Sequence, residues 1–253
     1  MSAAEGLVLI GAGLVAGAAS AMAGGASLLT FPVLIALGLP PLAANVTNTT
    51  GLVPTSFGAA LASRTELAGQ RSRLAFLAVP TVLGALAGAA LLLLAPPESF
   101  EAVVPFLIAG SALLLLAQPW LTAAAGRHLL ARHRRGSWGS ALVACTYAGY
   151  FGAAAAVLLI ALLGLFTTES IHRLNAVKNV LIGLANGVAA VTFALVAPVH
   201  WLEACALAVG SLGGGALGVR LARRVPARQL RVGIALFGLA VAVWLALSPP
   251  SSS

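Results

Sequence analysis

Charge is scarce in this sequence. Only 8% of the 253 residues are charged, against about 25% in a typical soluble domain. No span carries an aspartate, and the glutamates all lie near loops or span ends, so no buried carboxylate relay for protons is evident. There are two cysteines, Cys145 and Cys205, and no C-x-x-C pair. Both read as small buried hydrophobes, although a membrane thiol oxidoreductase passing electrons between them is a rival from another class. No Ser/His/Asp set, metal cluster or phosphate loop falls within the apolar segments, and an intramembrane enzyme ranks low. The N-terminus has no basic region before its first apolar run, Glu5 being the only charge there. No small-residue cleavage pattern follows, so no signal peptide is expected.

What is abundant is apolar surface. Hydrophobic residues make up 60% of the chain and the mean hydropathy is +1.03. A soluble chain of this size could not hide that much apolar area, so lipid is its natural solvent. The net charge of +8 does not point to nucleic acid, because no aromatic residues interleave with the basic ones. In a membrane protein, basic residues mark cytoplasmic loops.

A membrane-crossing helix needs about 20 apolar residues. Six segments qualify: 42–63, 74–95, 102–121, 174–197, 202–220 and 232–248. Two more stretches, 6–38 and 139–166, are too long for one helix, and each is broken near its middle. Ala23-Gly24-Gly25-Ala26 interrupts the first and Gly149-Tyr150-Phe151-Gly152 the second. Their arms, of roughly 12 to 18 residues or about 18–27 Å, are mostly too short to cross. Each stretch therefore reads as a helical hairpin that enters the membrane and turns back. The expected fold is an all-α polytopic membrane protein.

The basic residues test this arrangement. All 14 Lys and Arg fall in four places: Arg64 to Arg73, Arg127 to Arg135, Arg173 with Lys178, and Arg220 to Arg231. The connections 96–101 and 198–201 have none. Six spans and two hairpins put all 14 on one side, the cytoplasmic side, with both termini outside. The hairpins then enter from opposite sides, and three spans follow each. This predicts two inverted repeats, residues 1–121 and 139–248, joined by a basic linker at 122–138 and followed by a disordered tail at 249–253. Such inverted repeats are common among secondary transporters. A short internal similarity agrees: PVLIALGL at 32–39 against LLIALLGL at 158–165, each followed by an Asn-bearing helix start.

Irregular backbone at membrane depth is tolerated only inside protein or beside a wet cavity. A helix is expected to begin after each break, near Ser27 and near Ala153, with its first amides free and its dipole end positive. Two such ends facing each other make an anion site. Gly24, Gly25, Ser27, Gly152 and Ala153 are the candidates, Ser27 as a possible helix cap; tight helix packing is the competing role for such small residues. Asn45, Asn48 and Thr49 share one helix face, as do Asn175, Lys178, Asn179 and Asn186 in the other half. These side chains are candidate donors to a ligand or glue between helices. Lys178 lies about a turn deeper than Arg173; it could neutralise an anion or snorkel to the interface. Counting along the spans puts Asn48 nearer the outside and Lys178 nearer the inside, so a shared site needs both helix starts to dip inward. His172 and His200 sit at span ends and read as interfacial; His128 and His133 belong to the linker. Pro32 and Pro54 are expected to bend or break helices.

Four segments resemble a known family. GLVAGAASAMAGGASLLTFPVLIALGLPPLAANVTNTTGLVP at 13–54 resembles the first conserved block of the sulfite exporter TauE/SafE family. GYFGAAAAVLLIALLGLF at 149–166 with HRLNAVKNVLIGLANGVAA at 172–190 resembles the second, and VGSLGGGALGVRLARRVP at 209–226 also fits. The resemblance implies bacterial plasma-membrane transport of sulfite, sulfonates or related organosulfur anions, two inverted repeats, and a path lined by Gly24 to Ser27, Asn45, Asn48, Asn175, Lys178 and Asn179. It implies no cofactor; a coupling ion, H+ or Na+, is left open. This chain departs from the pattern at its second tip. Many relatives carry a polar residue, often Gln, near Ala155, whereas 153 to 156 are all alanine here. The first tip is also poorer in glycine. A larger or more apolar organosulfur anion would suit these changes. Export follows from the resemblance alone, and uptake of a related sulfonate or carboxylate is the alternative.

Overall fold

The computed structural model describes residues 1–22, 24–125, 134–167, 169–221 and 227–247. Ala23 of the first break, Arg127, His128, Arg132 and His133 of the linker, Arg223 and Arg224, and the tail 249–253 lie outside the described residues. The described residues form helices and no strands: α1 (Ala3–Met22), α2 (Ala26–Ala36), α3 (Pro41–Ala62), a short α4 (Arg64–Leu67), α5 (Arg71–Leu94) and α6 (Pro97–Ala125) make up the first half. The second half holds α7 (Arg134–Tyr150), α8 (Ala155–Gly164), α9 (Ile171–Val196), α10 (Trp201–Leu221) and α11 (Ala227–Leu247).

Local sequence explains several starts. Pro41 opens α3 at a position where an amide would be orphaned anyway. Ser170 caps α9, its hydroxyl accepting from the Arg173 amide. Large apolar side chains cover the outside: Leu195 is 78% exposed, Phe106 76% and Leu7 71%. Leaving such side chains in water forgoes about 1.5–3 kcal/mol each, and lipid removes that penalty.

The structure corrects four expectations. Both long stretches do break at the glycines, but the arms are unequal. α1 has 20 residues and is long and apolar enough to cross a bilayer, whereas α2 and α8 have 11 and 10. Among the described residues the helices of sufficient length and apolarity are six: α1, α5, α6, α9, α10 and α11. The 22-residue α3 is long enough but not among them, because Asn45, Thr47, Asn48, Thr49 and Thr50 lower its hydropathy. Neither Pro32 nor Pro54 breaks its helix; α2 and α3 run through them. A membrane helix tolerates the carbonyl that such a proline frees when neighbouring groups re-satisfy it. Finally, Ser27 caps nothing: Gly25 is the cap residue of α2, and no side chain bonds its amides.

Packing between helices comes in matched pairs. α1 lies along α10 as α7 lies along α5, and α3 meets α10 as α9 meets α5. α2 packs on α11 as α8 packs on α6, while α3 meets α9 and α6 meets α11 at the centre. Glycines make the longest seams. A Cβ at Gly13 would lie 2.6 Å from the Leu207 carbonyl oxygen, and one at Gly17 would lie 2.6 Å from that of Ser211. Only glycine permits backbones this close. The paired positions rise together along both helices, so α1 and α10 run in the same direction. On the side of α4, Arg173 donates to the Ala68 carbonyl at 2.8 Å and pairs with Glu169 at 3.1 Å, tying the two halves together.

Candidate functional site

The two breaks meet. Gly24 and Gly152 both take positive φ, 75° and 78°, so each turns the chain in a way other residues resist. A Cβ built on Gly24 would sit 3.1 Å from that of Ala156, in the first turn of α8. Between the tips lies a small cavity of about 40 Å³. Gly24, Gly25, Ala26 and Ser27 close it on one side, and Gly152, Ala154 and Ala156 on the other. α1 contributes Ser20, α3 contributes Leu52, Thr55 and Ser56, and α9 contributes Ile182 and Asn186.

Both short helices begin at this cavity without a side-chain cap. The cap residue of α2 is Gly25 and that of α8 is Ala154, the one non-glycine with positive φ (57°) among the described residues. The Ala155 amide turns back to the Gly152 carbonyl at 3.2 Å and the Leu28 amide to that of Gly25 at 3.1 Å, but each helix still brings the positive end of its dipole to the cavity. Thr55 adds a second feature. It is only 6% exposed, lines the cavity, and its hydroxyl has no hydrogen-bond partner among the described residues. An unmet hydroxyl in a buried place costs roughly 1–3 kcal/mol, which a bound oxygen or a water would relieve.

The tips are held differently. The Ala153 carbonyl accepts a bond from the Ser111 hydroxyl at 3.0 Å, and that hydroxyl also meets the Tyr147 hydroxyl at 2.6 Å. The Asn45 amide donates to the Tyr150 carbonyl at 2.9 Å. Edge-on contacts of Phe151 with Phe31 and of Phe100 with Tyr150, at 5.5 and 5.8 Å between centroids, pack the second tip further.

The sequence candidates divide accordingly. Gly24, Gly25, Ser27 and Gly152 line the cavity, while Ala153 turns its carbonyl to Ser111. Asn45, Asn48, Thr49, Asn175, Lys178 and Asn179 do not line it. Asn45 ties α3 to the end of α7, and Asn48 accepts from the Thr30 hydroxyl of α2. The Asn48 and Asn179 amide nitrogens and the Asn45 carbonyl oxygen have no partners among the described residues. Thr49 is buried and Asn175 half-buried.

Helical spacing relates these residues to the cavity. Lys178, Ile182 and Asn186 are four apart on α9, as Asn48, Leu52 and Ser56 are on α3, so each set forms one row. The lower pair of each row lines the cavity; Asn48 and Lys178 sit one turn before it. Asn48 is fully buried and Lys178 is 3% exposed. No carboxylate pairs with Lys178 among the described residues. Thr55, Ser56 and Ser20 also line the cavity and are not among the sequence candidates. Spacing is the signal that could point to them, since Thr55 and Ser56 extend the Asn45–Asn48 row by whole turns.

The remaining candidates sit apart. Cys145 is buried in α7 against Thr81, and Cys205 is exposed on α10. His172 and His200 are exposed at helix starts, as expected of interfacial residues.

Comparison with known proteins gives one match. No curated protein and no solved structure matches the chain. The family model of the sulfite exporter TauE/SafE covers residues 9–245, nearly the whole sequence, and the matched segment includes both tips, both polar rows and every helix that lines the cavity. This chain belongs to the sulfite exporter TauE/SafE family.

Proposed function

We propose that this membrane protein is a secondary transporter that exports sulfite or a small organosulfur anion across the bacterial plasma membrane by alternating access. The observation that carries the reading is the meeting of two helix starts without side-chain caps, at Gly25 and Ala154, around one small cavity that holds a Thr55 hydroxyl with no partner among the described residues. Oxyanions are the natural ligands of such amides. Lys178, buried without a counter-charge one turn away, draws the anion along the α9 row. Asn48 occupies the matching place on α3. If the halves are inverted, Asn48 and Lys178 flank the cavity on opposite sides of the membrane, which reconciles their different depths with one shared path.

The inverted arrangement has support from the packing. The largest helix contacts come in counterparts between the halves, α1 with α10 and α7 with α5, α3 with α10 and α9 with α5, and α1 runs parallel to α10. That direction agrees with the placement of all 14 basic residues inside and both termini outside. Family membership supports the substrate class. Direction and coupling ion are the finer parts of the proposal, and reciprocal gradients of the anion, H+ and Na+ across vesicles would assign them.

The test is flux in proteoliposomes, with sulfite and methanesulfonate measured against empty vesicles. Saturable flux of one that the other competes for is the expected result. No flux of either by folded protein would reject the reading.

A further inference from the structure

A second, much larger space adjoins the tip cavity. It is a groove of about 730 Å³ between α3, α5 and α9. Val53, Phe57, Leu86, Leu184 and Val188 are among its walls, and only Ser56 and Thr192 interrupt an apolar lining. Its rim opens outward, since Phe57 is 64% exposed and Val191 63%. Ser56 lines both the groove and the tip cavity. At this junction α9 lies close against α3: a Cβ on Gly183 would fall 2.5 Å from that of Ser56.

The matched flank is packed differently. There α10 meets α3 through glycines. A Cβ at Gly58 would lie 2.6 Å from the Leu212 carbonyl oxygen, and one at Gly51 would lie 2.8 Å from the Leu207 side chain. α5 meets α9 without such a seam. Gly187 of α9, which lines the groove, has nothing within 4 Å of where its Cβ would be. The α10 flank is sealed and the α5 flank is open.

The two spaces differ in the chemistry they accept. The tip cavity has room for about three water-sized centres, since a water needs about 10–15 Å³ of such volume. That fits an oxyanion head and little more. We propose that the transported anion is an amphiphile: its sulfonate head sits between the tips while an apolar tail lies in the α3–α5–α9 groove and enters from the lipid side. This rests on the function proposed above and specifies its substrate class. A membrane lipid is the poorer occupant. Its head must stay at the bilayer surface, so only its chain end would reach Ser56, and a methyl group would then face the unmet Thr55 hydroxyl. A tailed anion satisfies both spaces at once when α3 and α9 part at the Ser56–Gly183 contact.

The experiment uses sulfite flux in proteoliposomes, with linear alkanesulfonates from methane- to hexanesulfonate as competitors and empty vesicles as the control for leakage. Potency is expected to rise at least about tenfold along the series, at about 0.8 kcal/mol for each methylene fully removed from water. Gly187→Phe fills the groove where nothing stands in the way. It should abolish that rise and leave sulfite flux and methanesulfonate competition intact. Gly187→Leu, a smaller filler, should reduce the rise and serves if the phenylalanine variant does not fold. Potency independent of tail length would overturn the proposal and leave the groove to a lipid chain or a second copy of the protein. A rise that survives both fillings would overturn it equally. Neither result touches the transport reading itself, which fails only if sulfite and methanesulfonate show no flux, and the proposal then falls with it.

Discussion

The two tips solve the same problem with different chemistry. The first, at Gly24 and Gly25, leads into α2, whose Thr30 hydroxyl bonds Asn48 of the following helix. The second, at Gly152 to Ala154, leads into α8, which has no hydroxyl or amide side chain at all. Lys178, at the position of α9 that matches Asn48, therefore receives nothing comparable from its own short helix. The second tip is instead secured from behind, by Ser111 and Tyr147. One half gives Asn48 a hydroxyl from its own short helix and the other leaves a buried charge unmatched. The difference teaches that paired architecture need not mean paired function: both halves keep unpartnered buried amides, but only the second buries a cation, and that is where an anion has most to offer.

Substitutions can break this comparison. The largest effect is expected at Lys178. Lys178→Met should weaken anion binding by about 10–100-fold, given roughly 1.5–3 kcal/mol for interactions with a charged group. Asn48→Ala should weaken it only a few-fold. The concentration dependence of flux checks both, and equal effects would mean that the halves share the work.

Ser111→Ala should come next. It leaves the Ala153 carbonyl and the Tyr147 hydroxyl without this partner and is expected to cost about 1–3 kcal/mol. A lowered thermal unfolding midpoint in detergent would show it. The turning glycines give a finer contrast. Placing alanine at positive φ costs about 1–2 kcal/mol, so Gly24→Ala and Gly152→Ala should both destabilise. Gly24→Ala should do more harm, because its new methyl also meets the Ala156 methyl at 3.1 Å, whereas the nearest group to a Cβ on Gly152 is the smaller Ala148 carbonyl oxygen of the preceding α7 at the same distance. Parallel unfolding curves decide the order.

The smallest effect is expected at Thr55. Thr55→Val removes a hydroxyl that has no partner among the described residues, so the fold should lose little. Anion affinity should fall about five-fold, for a hydrogen bond worth about 1 kcal/mol. A loss of stability without a change in affinity would make Thr55 a packing residue and weaken the case for the cavity.

Much of the fold was legible because its causes are local. Sustained apolar runs and a chain only 8% charged call for lipid, and Gly24 and Gly152 interrupt runs too long for one helix. The site was legible only in part. The tip residues were found because glycine at a break has few explanations. Asn45 and Asn48 drew attention as buried amides, yet an amide bonds equally well to a ligand, to the Tyr150 carbonyl or to Thr30. Spacing along one helix does not choose among partners that come from others. Thr55 and Ser56 went unnoticed for the complementary reason, since small hydroxyl residues in a membrane helix commonly bond their own backbone.

By itself, the sequence determined the solvent of this protein, the places where its helices break and the faces on which its polar residues align. Hydropathy, glycine's backbone freedom and helical period are properties of neighbouring residues, and they act wherever the rest of the chain goes. Only the tertiary structure decided that the two tips touch, that Thr55 has no partner among the described residues between them, and that one flank of the central helix pair is sealed while the other stays open. Those outcomes depend on how closely backbones far apart in sequence approach, which is set by glycines meeting across seams such as Gly17 with Ser211 and Gly58 with Leu212.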